Sequence, residues 1–206
     1  MKKPYFGRLL TAMVSPFRED GTVDYAAGAD LAEWLIKNGS DGLVVEGSTG
    51  EAATMNFEEK VQFMRTIKER VAGRVPIVAG AGTNCTASTI ELAKAFEEVG
   101  VDGLLVVGPY YNKPTQEGYY QHFAAVARST KLPIIVYNVP GRTGSNIMPE
   151  TVVRLAHDFS NIVAIKEAAG NVAQTADLYR LLPDDFSIYS GDDTLILPFC
   201  SVGACG

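Results

Sequence analysis

Short apolar segments alternate with longer segments of helical spacing along the whole chain. Seven runs rich in valine, isoleucine and leucine occur, namely LLTAMV, GLVVEG, VPIVAG, GLLVVG, PIIVYN, IVAIKE and FSIYSG. Between them, helical spacing predicts helices over Tyr25 to Lys37, Phe57 to Val71, Ser88 to Val99, Tyr119 to Ser129, Pro149 to His157 and Val172 to Leu181. Strands that are apolar at nearly every position are typical of a parallel sheet covered on both faces. The order therefore predicts an α/β fold.

Two α/β architectures satisfy this order, an open doubly wound sheet and a closed barrel. Polar and small residues follow nearly every strand, which favours a (β/α)8 TIM barrel, because such barrels carry their sites on the loops at the carboxyl ends of all strands. No G-x-G-x-x-G fingerprint follows the first strand and no G-x-x-x-x-G-K-[ST] loop occurs. The main support for a nucleotide-binding sheet is therefore missing.

The strand count is one short of a full barrel, and the sequence stops at SVGACG, where an eighth strand is expected to start. No linker, low-complexity segment or clear internal repeat suggests a second domain. We therefore expect residues 1–206 to form a single (β/α) barrel domain that is truncated before strand 8 and the C-terminal helices.

Charge and composition exclude several classes of protein. A net charge of −6 and a pI near 5.0, without clustered lysine or arginine, argue against binding to nucleic acid or to an anionic membrane. No apolar run approaches membrane-spanning length, and the N-terminal apolar stretch is too short for a secretory signal. The three cysteines have no metal-ligand spacing. We expect reduced thiols, no bound metal and a cytoplasmic location.

Two strand ends carry side chains suited to carbonyl chemistry. Lys166 ends the apolar strand of IVAIKE, where desolvation favours the neutral amine that attacks a ketone to form a Schiff base. Tyr137 ends the preceding strand in PIIVYN, and its phenol is able to donate and accept the proton that such chemistry moves. Each residue also has a structural interpretation, since a lysine stem packs with its head in water and a tyrosine anchors loops.

Two loops offer groups that bind carboxylates. Arg142 follows Tyr137 in a glycine-rich turn, and a guanidinium grips a carboxylate through two parallel hydrogen bonds. The loop G-S-T-G-E after the second strand offers the hydroxyls of Ser48 and Thr49 together with backbone N–H groups. Turns and helix caps use the same residues, so neither loop is specific by itself.

Taken together and in this order, GSTGE, GPYYNKPTQEG, YNVPGRTG, IKEAAGN and SGDD resemble the dihydrodipicolinate synthase family of pyruvate-dependent Schiff-base aldolases. The resemblance spans Leu9 to Gly206. It implies a lyase in which pyruvate condenses on Lys166 and the resulting enamine attacks L-aspartate-4-semialdehyde. The product would be 4-hydroxy-tetrahydrodipicolinate, an intermediate of lysine and diaminopimelate biosynthesis. The resemblance implies no metal and no organic cofactor.

The same resemblance assigns roles to the matching positions. It implies that Tyr137, Ser48 and Tyr111 form a proton relay, with Tyr111 reaching across from a neighbouring subunit. It also implies a homotetramer built as a dimer of dimers.

Substrate binding is implied at three further positions. Thr49 is expected to help hold the pyruvate carboxylate, Arg142 to bind the carboxylate of the semialdehyde, and Gly191 to lie near the substrate through its backbone.

Two alternatives stay open. The family loop usually reads G-T-T-G-E, and Ser48 makes it similar to the loop of N-acetylneuraminate lyase. That lyase or another 2-oxo acid aldolase is therefore one alternative, although Arg142 and PYYNKPTQEG favour the synthase. The other alternative is a non-catalytic truncated paralogue, in which Lys166 is structural.

Overall fold

Seven strands pair side by side in the order of the sequence in residues 2–206, the part of the chain that the computed structural model describes. Every pairing between neighbouring strands is parallel. A doubly wound sheet reverses its strand order, whereas a barrel keeps it, so the barrel prediction is confirmed. The strands are β1 (Leu10–Ala12), β2 (Gly42–Val45), β3 (Ile77–Gly80), β4 (Gly103–Val107), β5 (Ile134–Asn138), β6 (Ile162–Glu167) and β7 (Ser187–Ser190).

Helices follow the strands along the chain, and most agree with the sequence-based prediction. They are α1 (Tyr25–Lys37), α2 (Phe57–Val71), α3 (Thr86–Val99), α4 (Gln116–Ser129), α5 (Pro140–Thr143), α6 (Pro149–Asp158), α7 (Val172–Leu181) and α8 (Ile196–Ser201). The bounds of α1, α2 and α7 are as predicted. The short helices α5 and α8 were not predicted, since one or two turns are too short to show a helical period.

Two helices begin slightly before their predicted starts, and for α4 the cause is visible. Thr115 caps this helix, and its hydroxyl accepts a hydrogen bond from the backbone N–H of Gly118. The first turn, which begins at Gln116, is polar. An apolar period does not reveal such a turn, because it contains no apolar side chain before Tyr119.

Apolar side chains fill two layers, one between the sheet and the helices and one inside the curl of the sheet. On β2, Leu43 and Val45 belong to the outer layer, whereas Val44 belongs to the inner layer. The other strands alternate in the same way, except at β6, where the consecutive residues Val163 and Ala164 both belong to the inner layer. Burial on both faces explains why the strands are apolar at nearly every position.

The residues after α8 lie beside β7. The backbone N–H of Cys205 donates to the carbonyl oxygen of Ile188, and that of Ser190 donates to the carbonyl oxygen of Gly206, each at 2.8 Å. A Cβ atom at Gly206 would be 2.2 Å from the carbonyl oxygen of Arg8, just before β1. The sheet is therefore curled far enough for one segment to contact both β7 and the approach to β1.

No helix in the described residues 2–206 is both long enough and apolar enough to cross a membrane. The three cysteines have free thiols, as expected, with Cys85 exposed and Cys205 buried. Within the same described range, no group of three or more His, Cys, Asp or Glu side chains is placed to hold a metal ion.

Candidate active site

Lys166 and Tyr137 lie side by side at the carboxyl end of the sheet. The register of β5 against β6 pairs the two residues directly. The Nζ atom of Lys166 lies 4.4 Å from the centroid of the Tyr137 ring, and Tyr137 is buried, with 5% of its surface exposed. The amine and the phenol therefore belong to one site.

The surroundings of Lys166 favour its neutral form. Burial lowers the pKa of Lys166 below that of a free lysine. The charge of Asp193 acts in the opposite direction and raises the pKa, whereas the nearby Arg142 lowers it further. The net shift is downward, so more of this amine is unprotonated near neutral pH than in an ordinary lysine.

Gly191 leaves room for the stem of Lys166. A Cβ atom at this position would be 2.7 Å from Cβ of Ala168 and 3.0 Å from Cε of Lys166. The backbone N–H of Gly191 also donates to the carbonyl oxygen of Glu167 at 2.7 Å. A larger residue would therefore displace the lysine or break the contact between β6 and the loop after β7.

Two cavities meet at the paired residues. The first, of about 200 Å³, is lined by Tyr137, Ser48, Tyr110 and Arg142 among others. The second, of about 320 Å³, opens into the curl of the sheet and is lined by Lys166, Tyr189 and Asp193 among others. Both contact Leu105. Tyr137 thus lines one cavity and Lys166 the other, with the lysine–tyrosine contact between them.

The loop after β2 presents two hydroxyls at the rim. Ser48 and Thr49 lie on a single 3-10 turn, Ser48–Gly50, and both are exposed. Within the described part of the chain, neither hydroxyl makes a hydrogen bond to the protein. Ser48 lines the first cavity and Thr49 is its neighbour on the turn. Both hydroxyls are free to bind a small anion.

The structure separates the two tyrosines of GPYYNKPTQEG. Tyr110 lines the first cavity. Tyr111 is 86% exposed, and its backbone is in the left-handed region with φ of 70°. Within this chain, Tyr111 therefore points away from the predicted relay of Tyr137 and Ser48. Of the other expected site residues, Tyr137, Ser48 and Arg142 line one cavity, Lys166 lies against Tyr137 and Gly191, and Thr49 adjoins Ser48 on its turn.

Arg142 lies on the one-turn helix α5, and not in the glycine-rich turn that we expected. Pro140 starts this helix, since proline suits the first helical position. Arg142 lines the first cavity and is exposed. Among the described residues it has no ion pair, so its guanidinium is available to an anion that enters the cavity.

Sequence reasoning missed Glu46, which is buried at the end of β2. It is 1% exposed, lines the first cavity, and neither carboxyl oxygen has a hydrogen-bond partner in the part of the chain that is described. Burial raises the pKa of Glu46 to about 9, although the charge of Lys60 lowers it. Glu46 is therefore protonated at neutral pH. Its position at the end of an apolar run was the only signal in the sequence.

Replacing Glu46 with glutamine should stabilise the protein at alkaline pH. Glutamate in an unfolded chain ionises above pH 4.5, whereas Glu46 in the folded chain stays protonated up to about pH 9. The stability that the protonated Glu46 contributes is therefore fully present below pH 4.5, and it is lost as the pH rises towards 9. At pH 8, Glu46→Gln should raise the free energy of unfolding by about 1 to 3 kcal/mol.

Urea unfolding at pH 5 and pH 8 measures this effect. The gain should be large at pH 8 and small at pH 5. The exposed Glu69 on α2 provides the control, because Glu69→Gln should show no such dependence. Equal gains at both pH values would mean that Glu46 is ionised in the folded protein.

Backbone strain concentrates at the same rim. Among the described residues, five other than glycine have positive φ, and four of them follow strands at the carboxyl end of the sheet: Glu46, Glu51, Tyr111 and Lys113. Strained backbone is held in place only where the surrounding structure determines it, and it clusters at functional sites. This distribution agrees with the position of the paired lysine and tyrosine.

Comparison with known proteins identifies what the chain is similar to. The model of the family described as "Dihydrodipicolinate synthetase family" matches residues 5–206. A protein of Heliobacterium modesticaldum named 4-hydroxy-tetrahydrodipicolinate synthase is 57% identical over 201 residues, which are 98% of this chain and 67% of that protein. A protein of the same name from Desulforamulus reducens is 54% identical and is covered to 68%.

The fold is also similar to that of a solved protein with a corresponding name. The crystal structure of a dihydrodipicolinate synthase from Bacillus anthracis superimposes with a TM-score of 0.95 at 50% sequence identity. The match covers 98% of this chain and 68% of that one. The chain thus spans about two thirds of the length of the proteins that it matches.

Proposed function

The chain belongs to the dihydrodipicolinate synthetase family, and on this premise we propose that it condenses pyruvate with L-aspartate-4-semialdehyde through a Schiff base on Lys166. The activity is that of a lyase of the 4-hydroxy-tetrahydrodipicolinate synthase type, the name that its relatives carry. One observation carries the assignment of the site: the largely buried amine of Lys166 lies against the phenol ring of Tyr137.

The first chemical step is the attack of the neutral Lys166 amine on the keto carbon of pyruvate. The resulting carbinolamine loses its hydroxyl as water and becomes an imine. Loss of a proton from the methyl carbon then gives an enamine, which attacks the aldehyde carbon of the semialdehyde. A depressed pKa at Lys166 supports this role, since only the unprotonated amine is a nucleophile.

Tyr137 is the group that passes protons in these steps. Its ring lies against the Lys166 amine, and its side chain lines the cavity that also contacts Ser48. We assign Tyr137, Ser48 and Tyr111 to one proton relay. The 86% exposure of Tyr111 supports a contribution to the site of a second copy of the chain, because the residue does not enter the cavity of its own copy.

This assignment implies assembly. A large aromatic side chain that is almost fully exposed is typical of interfaces. We therefore propose a homotetramer, built as a dimer of dimers, in which Tyr111 crosses between two copies.

The carboxylate of pyruvate is assigned to the loop that carries Ser48 and Thr49. The hydroxyls of both residues are exposed and unbonded, and backbone N–H groups of the same turn suit a small anion. Gly191 lies against the stem of Lys166, so its backbone borders the position of the bound substrate.

Arg142 is assigned to the carboxylate of the semialdehyde, and this assignment is testable. Arg142→Ala should lower kcat/KM for L-aspartate-4-semialdehyde about 10- to 100-fold, because hydrogen bonds to charged groups contribute about 1.5 to 3 kcal/mol. Borohydride trapping of pyruvate should persist, since pyruvate does not need this guanidinium. Arg154 on α6 pairs with Glu117 outside the site, so Arg154→Ala serves as the control and should keep kcat/KM. Equal kcat/KM values for the two variants would remove Arg142 from the site.

Substrate competition tests the proposed reaction itself. The protein should consume pyruvate and L-aspartate-4-semialdehyde together in a coupled assay, and should leave N-acetylneuraminate intact. Cleavage of N-acetylneuraminate without use of the semialdehyde would establish the aldolase alternative. Absence of both reactions, together with absence of a pyruvate adduct, would make the chain a non-catalytic relative.

A further inference from the structure

A network of buried amide and carboxyl side chains lies directly behind Lys166 and Tyr137. Glu167 is fully buried and accepts hydrogen bonds from the side-chain nitrogen of Asn138 at 3.1 Å, from Gln174 at 3.0 Å and from the backbone N–H of Ala169 at 2.7 Å. Asn138 and Glu167 are the residues that follow Tyr137 and Lys166 in the sequence. They therefore lie on the helix side of the sheet, while their neighbours face the inside.

The network continues into the segment between α5, which carries Arg142, and α6. The side-chain nitrogen of Asn138 donates to Oδ1 of Asn146 at 2.7 Å, and Nδ2 of Asn146 donates to Gln174 at 2.8 Å. Oδ1 of Asn138 accepts from the backbone N–H of Ile147 at 3.0 Å. Four side chains, Asn138, Asn146, Glu167 and Gln174, thus connect β5, β6, the segment between α5 and α6, and α7. We call these four residues the amide network.

The network lies just above an irregularity in the pairing of β5 with β6. Ile134 pairs with Ile162, but Ile135 pairs with Ala164, so Val163 is an extra residue on β6. Without this bulge, regular pairing would place Ile165 opposite Tyr137 and Lys166 opposite Asn138. Because side chains alternate between the faces of a strand, the shift by one residue turns Lys166 from the helices towards the inside.

Apolar burial alone does not select this register. Both faces of β5 and β6 are covered, so an apolar residue is acceptable on either side. The carboxyl group of Glu167 discriminates strongly between the two registers, because it loses its hydrogen bonds from Asn138 and Gln174 if the strand slips by one residue.

We propose that Glu167 is a positioning residue: through the amide network it fixes the shifted register of β6 that sets the amine of Lys166 against Tyr137. The inference rests on the proposed function, since it assigns a task to a residue that does not itself touch the substrate. According to this proposal, the hydrogen bonds of the amide network, and not the apolar core, set the geometry of Lys166 and Tyr137.

The test compares pyruvate trapping in Glu167→Ala and Glu167→Gln with trapping in the unsubstituted protein. Borohydride reduction with pyruvate reports on Lys166 alone and needs no second substrate. A displacement of about 1 Å costs about 100-fold in rate, so Glu167→Ala should slow trapping by about that factor. Glu167→Gln keeps the shape of the side chain, but its amide group replaces one acceptor oxygen with a donor that faces the surrounding donors. It should therefore slow trapping less, about tenfold.

The pH profile of trapping separates positioning from a general loss of stability. Lys166 faces Tyr137 on β5, Tyr189 on β7, Asp193 and Arg142. These four groups remain in Glu167→Ala. The Lys166 amine, however, should be less buried in this variant, so the pH at which the trapping rate is half-maximal should be higher. A substitution that only destabilises the fold lowers the melting temperature, but the molecules that remain folded keep the same pH midpoint of trapping.

Asn161 provides a matched control at the other end of β6. Its side-chain nitrogen donates to the carbonyl oxygens of Ala127 and Thr130, so Asn161→Ala also loses partly buried hydrogen bonds next to this strand. It should lower the melting temperature and leave the trapping rate and its pH midpoint unchanged. Circular dichroism confirms folding before each measurement, and if Glu167→Ala does not fold, Glu167→Gln decides the result.

The outcomes are distinct. Slower trapping with a higher pH midpoint in the folded Glu167 variants, but not in Asn161→Ala, supports the inference. Unchanged trapping in the folded Glu167 variants, or equal changes in Asn161→Ala, overturns it while the proposed function stands. If the unsubstituted protein forms no adduct on Lys166, the proposed function fails, and the inference fails with it.

Discussion

Pyruvate and borohydride together should add a reduced adduct to the protein at Lys166. The Lys166 side chain is partly buried, its pKa is lowered, and a phenol lies beside it to handle the protons of imine formation. Lys166→Met should abolish the adduct and reduce turnover about a thousandfold or more, because the covalent route is then closed. Peptide mapping of the reduced adduct by mass spectrometry makes the measurement.

Lys60 supplies the control for this experiment. Burial lowers the pKa of Lys60 as well, and only the ionised form of Glu46 acts in the opposite direction. Lys60 therefore shares the desolvation of Lys166 but lacks a paired phenol, and Lys60→Met should keep the adduct on Lys166. An adduct that maps to Lys60 would mean that the depressed pKa alone, without the tyrosine, selects the reactive amine.

The pH dependence of trapping has a definite sign. The nucleophile is the neutral amine, so the trapping rate should rise with pH through the lowered pKa of Lys166 and then level off. Levelling should occur below the pH at which a free lysine loses its proton, about 10.4. A rate that still increases beyond that pH would contradict the desolvation of Lys166.

Tyr137→Phe should reduce turnover by about 100-fold or more, as is usual for the loss of a positioned proton-transfer group. The substitution removes only the phenol oxygen, which makes no hydrogen bond within residues 2–206. The ring remains against the Lys166 amine, so the fold and the position of the lysine should persist. Steady-state kinetics measure the loss, and thermal unfolding should show little change.

Tyr189 on β7 flanks Lys166 on its other side and serves for comparison. Its hydroxyl oxygen accepts a hydrogen bond from the backbone N–H of Phe6 at 3.0 Å, so it is occupied in holding the structure. Tyr189→Phe should cost about 1 kcal/mol of stability, the usual contribution of one hydrogen bond, with a much smaller loss of turnover. If both variants lost turnover equally, the proton relay could not be assigned to Tyr137.

Much of the fold was predictable because its signals are local. Runs of apolar residues gave the strands, and the helical period gave the bounds of α1, α2 and α7. The short helix α5, which carries Arg142, was missed since a single turn has no period to detect. The early start of α4 was missed because its first turn is polar.

The candidate site was predictable for a related reason. In a parallel barrel the carboxyl ends of all strands share one rim, so residues that end neighbouring strands, such as Lys166 and Tyr137, are expected to meet. The separation of Tyr110 from Tyr111 was not predictable. It depends on the left-handed backbone at Tyr111, and the sequence does not indicate which residue of this loop adopts that conformation.

The sequence by itself predicted the order of strands and helices, the barrel, and the lysine and tyrosine that we propose to react, since strands, helices and strand ends leave recognisable patterns along the chain. Only the tertiary structure decided which way Lys166 faces. That direction depends on the extra residue Val163 and on hydrogen bonds between Glu167, Asn138 and Gln174, which meet only after β5, β6 and α7 have packed. The isolation of the Glu46 carboxyl was likewise decided there, because a missing hydrogen-bond partner is a property of the packed neighbourhood and not of the chain.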